Sequence, residues 1–428
     1  MAARIISHQS LPRVKLLPAL LLLTLGFSSL AALAEIPVHR FSETPHSYYT
    51  RPPTDAFTQV LNKIKLGQLH LEAGDEKTQL RSLLKSLHIS ESSQLLVYSA
   101  TSLQSGLILP SNPRAIYFND EAYVGYVPGG RFEIASIDPA LGPIFYLLKT
   151  SGDGRAEATR SERCMNCHAG RTSWGVPGFV AESVLATATS GASLDGFRRE
   201  VTGHTIPVSE RLGGWHVTGA QENAAHLGNL LAEATPDGYR KFANPPGRRF
   251  DWNRYPTTTS DLFAHLLLEH QIGFHNLVTL GTYRTRDALA AGAGFIRPED
   301  RGALDEIAWK IVRYLLFENE AVLPAGGVQP DLSLLKDFLT QRKTSANGFS
   351  LRDPELATRL FRFRCSYMIY SLGFSGMPAE MQRRVFQGLS RALKETGAPA
   401  NFDYLPNSEK RAIREILQTT GIPLGEVR

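Results

Sequence analysis

The five residues Cys164-Met165-Asn166-Cys167-His168 constrain this chain more than any others. Only three cysteines occur in 428 residues. Two are three positions apart and the third, Cys365, is far downstream, so no disulfide framework is at hand. On one helical turn, two thiols at this spacing point the same way. The histidine that follows brings an imidazole to the same side. That pattern suits covalent attachment of a haem through two thioethers, with His168 as the proximal iron ligand. The expected cofactor is therefore one covalent haem c, on Cys164, Cys167 and His168. A zinc site would need two more ligands at compact spacing, and there is no second cysteine pair. A dithiol redox pair would be expected in a βαβ setting and does not require a histidine directly after it. A chance match is the third alternative.

The N-terminus bears on that choice, because c-type haem is attached outside the cytoplasm. Arg4, Arg13 and Lys15 form a basic start, Leu16 to Ala34 is almost wholly apolar, and Ala32-Leu33-Ala34 precedes Glu35. This is the layout of a secretory signal spanning 1–34 and cut before Glu35. The competing reading is an uncleaved membrane anchor. The expected location is the periplasm, with membrane contact only if the signal stays. Of the 46 basic residues, loss of those three leaves 43 against 41 acidic ones, so the exported chain is close to neutral. No cluster of Lys and Arg interleaved with aromatics appears, which argues against a nucleic-acid partner.

Periodicity predicts an α+β chain: a small antiparallel sheet and the haem-bearing segment in the N-terminal half, a helical C-terminal half. Helical spacing marks Phe57–Ile64 and Leu80–Leu87. Short runs rich in Val, Ile, Tyr and Phe follow at Gln94–Ser99, Arg114–Phe118, Ala122–Val127, Phe132–Ile137 and Ile144–Leu148. Pro128-Gly129-Gly130 reads as a turn between two of them. Thr205–Val208 and Gly214–Gly219 are candidate strands rejoining the sheet. Helices are expected at Thr259–Val278, along Leu304 to Leu315, from Asp353-Pro354 through Leu372, from Pro378, and after Ser408. The mixed region is placed at 35–250 and the helical region at 251–428.

What the iron does depends on its other axial position. Met377, in Gly376-Met377-Pro378, is similar to the Met-Pro ligand loop of small cytochromes c, though much farther from the haem motif; a hydrophobic residue before a helix is the plainer reading. His265, His270 and His275 fall on one predicted helix. Residues five apart point about 140° from each other, so the three cannot form one metal site. His270 or His275 could still face the haem, against the default of a satisfied core histidine. His204 with Arg211 forms a pocket-like stretch, suited to peroxide cleavage or to an ordinary ion pair. Pro177 resembles the proline whose carbonyl orients the proximal histidine in small cytochromes c, and is equally readable as a turn proline. Arg163 and Arg171 flank the motif as propionate partners or as solvated arginines. Cys365, in a dense apolar and aromatic run read as helix, is expected to be an inert buried thiol.

Several blocks resemble a family of exported bacterial proteins with a single c-type haem motif, described as cytochrome c-like. They are Pro113-Arg114-Ala115-Ile116-Tyr117-Phe118-Asn119-Asp120 with Tyr123-Val124-Gly125, Cys164–His168, Gly213-Gly214-Trp215 through Thr218-Gly219, His270–Asn276, and Leu351-Arg352-Asp353 through Arg359-Leu360-Phe361. The resemblance implies haem binding and electron transfer, and names no substrate. Three functions remain open: an electron-transfer cytochrome with a redox partner protein; a peroxidase-like haem-dependent oxidoreductase with an open distal site and a small-molecule substrate; and a haem-based sensor or assembly factor.

Overall fold

In the computed structural model, residues 39–198, 203–220 and 224–424 are described. The leader lies outside these residues. From Glu35 to Arg428 the chain clusters into one unit, with no division near residue 250.

Two helices come first, α1 (Ala56–Lys65) and α2 (Glu76–Ser86). Each opens on an aspartate, Asp55 or Asp75, whose carboxylate accepts first-turn amides. A six-stranded antiparallel meander follows, in sequence order: β1 (Leu95–Val97), β2 (Arg114–Phe118), β3 (Ala122–Tyr126), β4 (Phe132–Asp138), β5 (Gly142–Thr150) and β6 (Ala156–Arg160). The β-branched and aromatic runs form it as predicted. The sequence reading missed β6, whose Ala-Glu-Ala-Thr-Arg has little β propensity and is held by pairing with β5.

Register gives the sheet two faces. Ile116, Gly125, Glu133 and Leu147 lie opposite one another along one row. Tyr123, Ala135 and Phe145 form the next row on the same face. The other face packs on α1: Phe57 meets the Tyr146 ring at 5.0 Å, and the Tyr146 hydroxyl donates to Asp55 at 2.6 Å.

The haem-motif candidate sits beyond β6 on the one-turn helix α3 (Met165–His168), entered through a 3-10 turn at Glu162–Cys164. A second sheet follows, of β7 (Ser183–Thr187), β8 (Ser193–Arg198), β9 (Leu230–Thr235) and β10 (Gly238–Ala243), in the order β10-β9-β7-β8. The sequence reading did not foresee it. Thr205–Val208 and Gly214–Gly219 are not strands; they run as turns, tied to the sheet and to Asp261 by isolated bridges at Trp215 and Thr218.

The C-terminal half is helical. The 30-residue α4 (Leu262–Ala291) is buried along most of its length and is the spine of the core. Around it lie α5 (Arg301–Leu315), α6 (Leu332–Leu339), α7 (Leu372–Ser375), α8 (Ala379–Ala392) and α9 (Asn407–Thr419). The helix expected from Asp353 to Leu372 does not form. Glu355 takes the amides of Ala357, Thr358 and Arg359 into a tight turn, and Leu356 adopts φ 60°. Side-chain capture of backbone amides outcompetes the helix there. Among the described residues no helix is long and apolar enough to cross a membrane.

Candidate functional site

The sheet face carrying Tyr123, Gly125, Glu133 and Phe145 floors a cavity of about 490 Å³. That size and its mostly apolar lining suit a large flat ligand. Cys164, Cys167 and His168 line it together, as do Phe179, Trp215, Leu268 and Ile272. Leu268 and Ile272 are one turn apart on α4 and so share a face.

Local structure explains how the motif is held. The turn of α3 puts Cys164 and His168 four residues apart on one side. His168 Nδ1 donates to the Gly178 carbonyl at 2.9 Å, and the Gly178 amide returns a bond to the His168 carbonyl at 2.7 Å. The orienting carbonyl is therefore that of Gly178, one residue past the expected Pro177. The reason is a close approach. A Cβ at 178 would lie 2.5 Å from Ser173 Cβ and 2.8 Å from Asn276 Oδ1, so only glycine fits. Asn276, buried on α4, fixes this segment by accepting from the Phe179 amide at 2.7 Å and donating to its carbonyl at 2.9 Å.

With Nδ1 engaged, Nε2 is the nitrogen of His168 left for the cavity. Phe145 packs on the imidazole with ring centroids 4.2 Å apart. Burial pushes the His168 pKa down to about 4, so the ring is neutral and its lone pair is available. Burial pushes the Cys164 thiol up. Neither motif cysteine is in a disulfide. Two free thiols, a neutral oriented imidazole and an apolar cavity on their common side fit a covalently held haem, and the fit rests on these residues alone.

The cavity has a polar side. Arg114 Nη1 donates to Glu133 Oε2 at 2.8 Å, and Glu133 Oε1 accepts from Ser102 Oγ at 2.9 Å and Gln104 Nε2 at 3.1 Å. Burial works to raise the Glu133 pKa, but the Arg114 charge and these hydrogen bonds prevail and hold it low. Tyr123 OH donates to Gln271 Oε1 at 3.3 Å, and Gln271 Nε2 reaches Tyr367 OH at 2.9 Å and Asp120 at 3.2 Å. Asp120 pairs with Arg352.

The distal candidates are placed elsewhere. Two positions apart on a helix means roughly 160° between side chains, so His270 points away from the cavity-facing Leu268 and Ile272. It bonds His204 Nδ1 at 2.9 Å through its own Nδ1, and Ser366 Oγ at 2.7 Å through Nε2. Arg211 is buried beside them, donating to the Ile206 carbonyl at 2.6 Å and facing Glu269 at 3.6 Å. His275 touches Tyr123 and Phe179 behind the cavity wall, but its Nε2 donates to the Asp120 carbonyl at 2.9 Å. Met377 is packed in the core before α8. None of His204, Arg211, His270, His275 and Met377 lines the cavity. Arg163 does line it, whereas Arg171 does not. Cys365 is buried as expected, though not on a helix.

The sequence reading gave no site role to Arg114, Glu133, Phe145 or Asn276. A lone charge beside apolar residues, as in Arg114-Ala115-Ile116 and Phe132-Glu133-Ile134, reads the same whether it faces solvent or a cavity, so the sequence held no local signal for them. No known family model, curated protein or solved structure matches this chain.

Proposed function

We propose that this chain is an exported protein carrying one covalent c-type haem, and that it works as a haem-dependent oxidoreductase on a small molecule. One observation carries the reading. Cys164, Cys167 and His168 share a haem-sized cavity in which, among the described residues, His168 is the only histidine and no methionine takes part. Among the described residues the lining thus offers no second histidine and no methionine, which suits small-molecule chemistry over simple electron transfer.

When bound, the haem would supply a redox-active iron. The chain's own residues do the rest. Cys164 and Cys167 anchor the group, so the cavity need not enclose it fully. The Gly178 carbonyl fixes the His168 tautomer and plane and raises the basicity of Nε2. Phe145, Phe179 and Trp215 exclude water. Tyr123 keeps its proton, because burial raises its pKa well above the usual phenol range, and Gln271 orients its hydroxyl. An electron-transfer role in the same molecule is favoured by the exposure of Cys167, which brings the attachment edge to the surface where a redox partner could dock.

Absorption and electron paramagnetic resonance spectra of the purified protein, with haem staining of wild type and Cys167→Ser, test this. The reading expects covalent haem in wild type, reduced yield in the variant, high-spin iron and carbon monoxide binding. A low-spin spectrum indifferent to carbon monoxide sinks the oxidoreductase. Covalent staining at normal yield in the variant sinks the attachment site.

A further inference from the structure

The segment between β1 and β2 is the outer wall of the cavity. Thr101, Leu103 and Ser105 are exposed to solvent, yet line the cavity from inside. A segment that does both borders the opening of the cavity. It contains no helix or strand between residues 101 and 107 and has few backbone bonds of its own. Besides the Asn112 amide on the Leu107 carbonyl, side chains tie it down, and Glu133 takes two of them. Ser102 and Gln104, both from this segment, donate to the same oxygen, Glu133 Oε1, at 2.9 and 3.1 Å. The other oxygen is held by Arg114. Gln104 also exchanges bonds with the Arg131 backbone, its Oε1 accepting at 2.7 Å and its Nε2 donating at 2.9 Å.

Glu133 can serve as this anchor because its cross-strand neighbour is Gly125. A Cβ there would come to 3.3 Å from Glu133 Cβ and 3.4 Å from its Oε2, so the glycine leaves the Glu133 side chain a few tenths of an ångström of room. A charged residue rising from the floor of a mostly apolar cavity, accepting two bonds from a wall that is otherwise loosely held, costs desolvation that a purely apolar floor would avoid.

We infer that Glu133 latches residues 101–107 across the cavity mouth, and that this latch sets the size of the ligands that reach the space beside His168. Glu133 is in this sense a positioning residue that acts through Ser102 and Gln104. The inference rests on the haem reading for its ligand assay, but the latch itself is tested without it.

The experiment uses the ferric holoprotein as wild type, Glu133→Ala, Glu133→Gln, the Ser102→Ala/Gln104→Ala double variant, and the combination of that pair with Glu133→Ala. Amide hydrogen exchange over 101–107 reads the latch. Association rates of cyanide, small, and imidazole, larger, read passage. Loss of the Glu133 bonds should speed exchange over 101–107 and imidazole binding by about tenfold, the shift in open population that losing about one net hydrogen bond brings. Cyanide should change much less, because a small ligand needs no opening. Glu133→Gln should fall between wild type and Glu133→Ala: its amide oxygen can still accept from Ser102 and Gln104, but its NH2 then faces the Arg114 guanidinium, also a donor, and the ion pair is lost. The Ser102/Gln104 pair should open the segment at least as far as Glu133→Ala, because it also removes the Gln104 bonds to the Arg131 backbone, and adding Glu133→Ala to that pair should add nothing further. These lid changes leave the sheet intact, so the proposal stays testable if Glu133→Ala fails to fold. Unchanged exchange, equal acceleration of both ligands, or additive effects overturn the latch. Absence of haem in wild type overturns the haem reading, while the exchange arm still decides the latch.

Discussion

Asn276→Ala is the sharpest probe of how the motif is held. The Asn276 side chain is 2% exposed and makes two bonds to one residue, to the amide and to the carbonyl of Phe179, itself 6% exposed. Alanine removes both and leaves the buried Phe179 amide and carbonyl without that partner. Each lost bond is worth about 1 kcal/mol net, and each stranded backbone group adds a desolvation penalty of about 1–3 kcal/mol. With partial relaxation of the 176–179 segment, the expected loss is about 2–4 kcal/mol, read as a lower urea midpoint with unchanged slope. The same change frees the Gly178 carbonyl that fixes His168, so the holoprotein should show an altered iron reduction potential or ligand-field spectrum. A loss below about 0.5 kcal/mol, the size of an ordinary surface substitution, together with an unchanged spectrum would refute the claim that α4 organises the site.

Other outcomes follow from the same packing. Burial pushes His265 and His275 down to about 4 and His216 and His270 to about 3, so all four are neutral in the folded protein at pH 7. Lowered folded values mean that the unfolded chain takes up protons first; this contribution is complete above pH 6.5 and is lost progressively as pH falls toward 4 and below. His275 alone accounts for on the order of 3 kcal/mol of that loss, and stability equal at pH 7 and pH 4.5 would contradict it. Phe145→Ala removes the ring on His168 and should cost about 3–5 kcal/mol in chemical denaturation; a cost under 1 kcal/mol would mean that the sheet face is not a packed floor.

The meander was legible because β2 to β5 are runs of Val, Ile, Tyr and Phe broken by turn residues, a signal that survives without neighbours. The second sheet was not: β10 is mostly exposed, and the edge strands β8 and β10 are held by pairing to β7 and β9, a long-range effect no local pattern announces. The missing helix after Asp353 shows the reverse. Its cap-and-proline start was a fair local signal, and Glu355 overrode it by binding three amides.

By itself, the sequence determined the chemistry of the motif: two thiols and an imidazole at spacings that put them on one side of one turn. Covalent geometry and helical pitch are local, so five residues suffice. Only the tertiary structure decided what surrounds them. It placed Arg114, Glu133 and Phe145 beside His168 from three strands and brought Asn276 from a helix about a hundred residues away. It also turned His204, His270 and Met377 away from the cavity. Such neighbours are chosen by register and by which face of α4 is buried. A histidine's place on a helix can be read from the sequence, but which side of that helix meets the cavity is settled only when the chain packs.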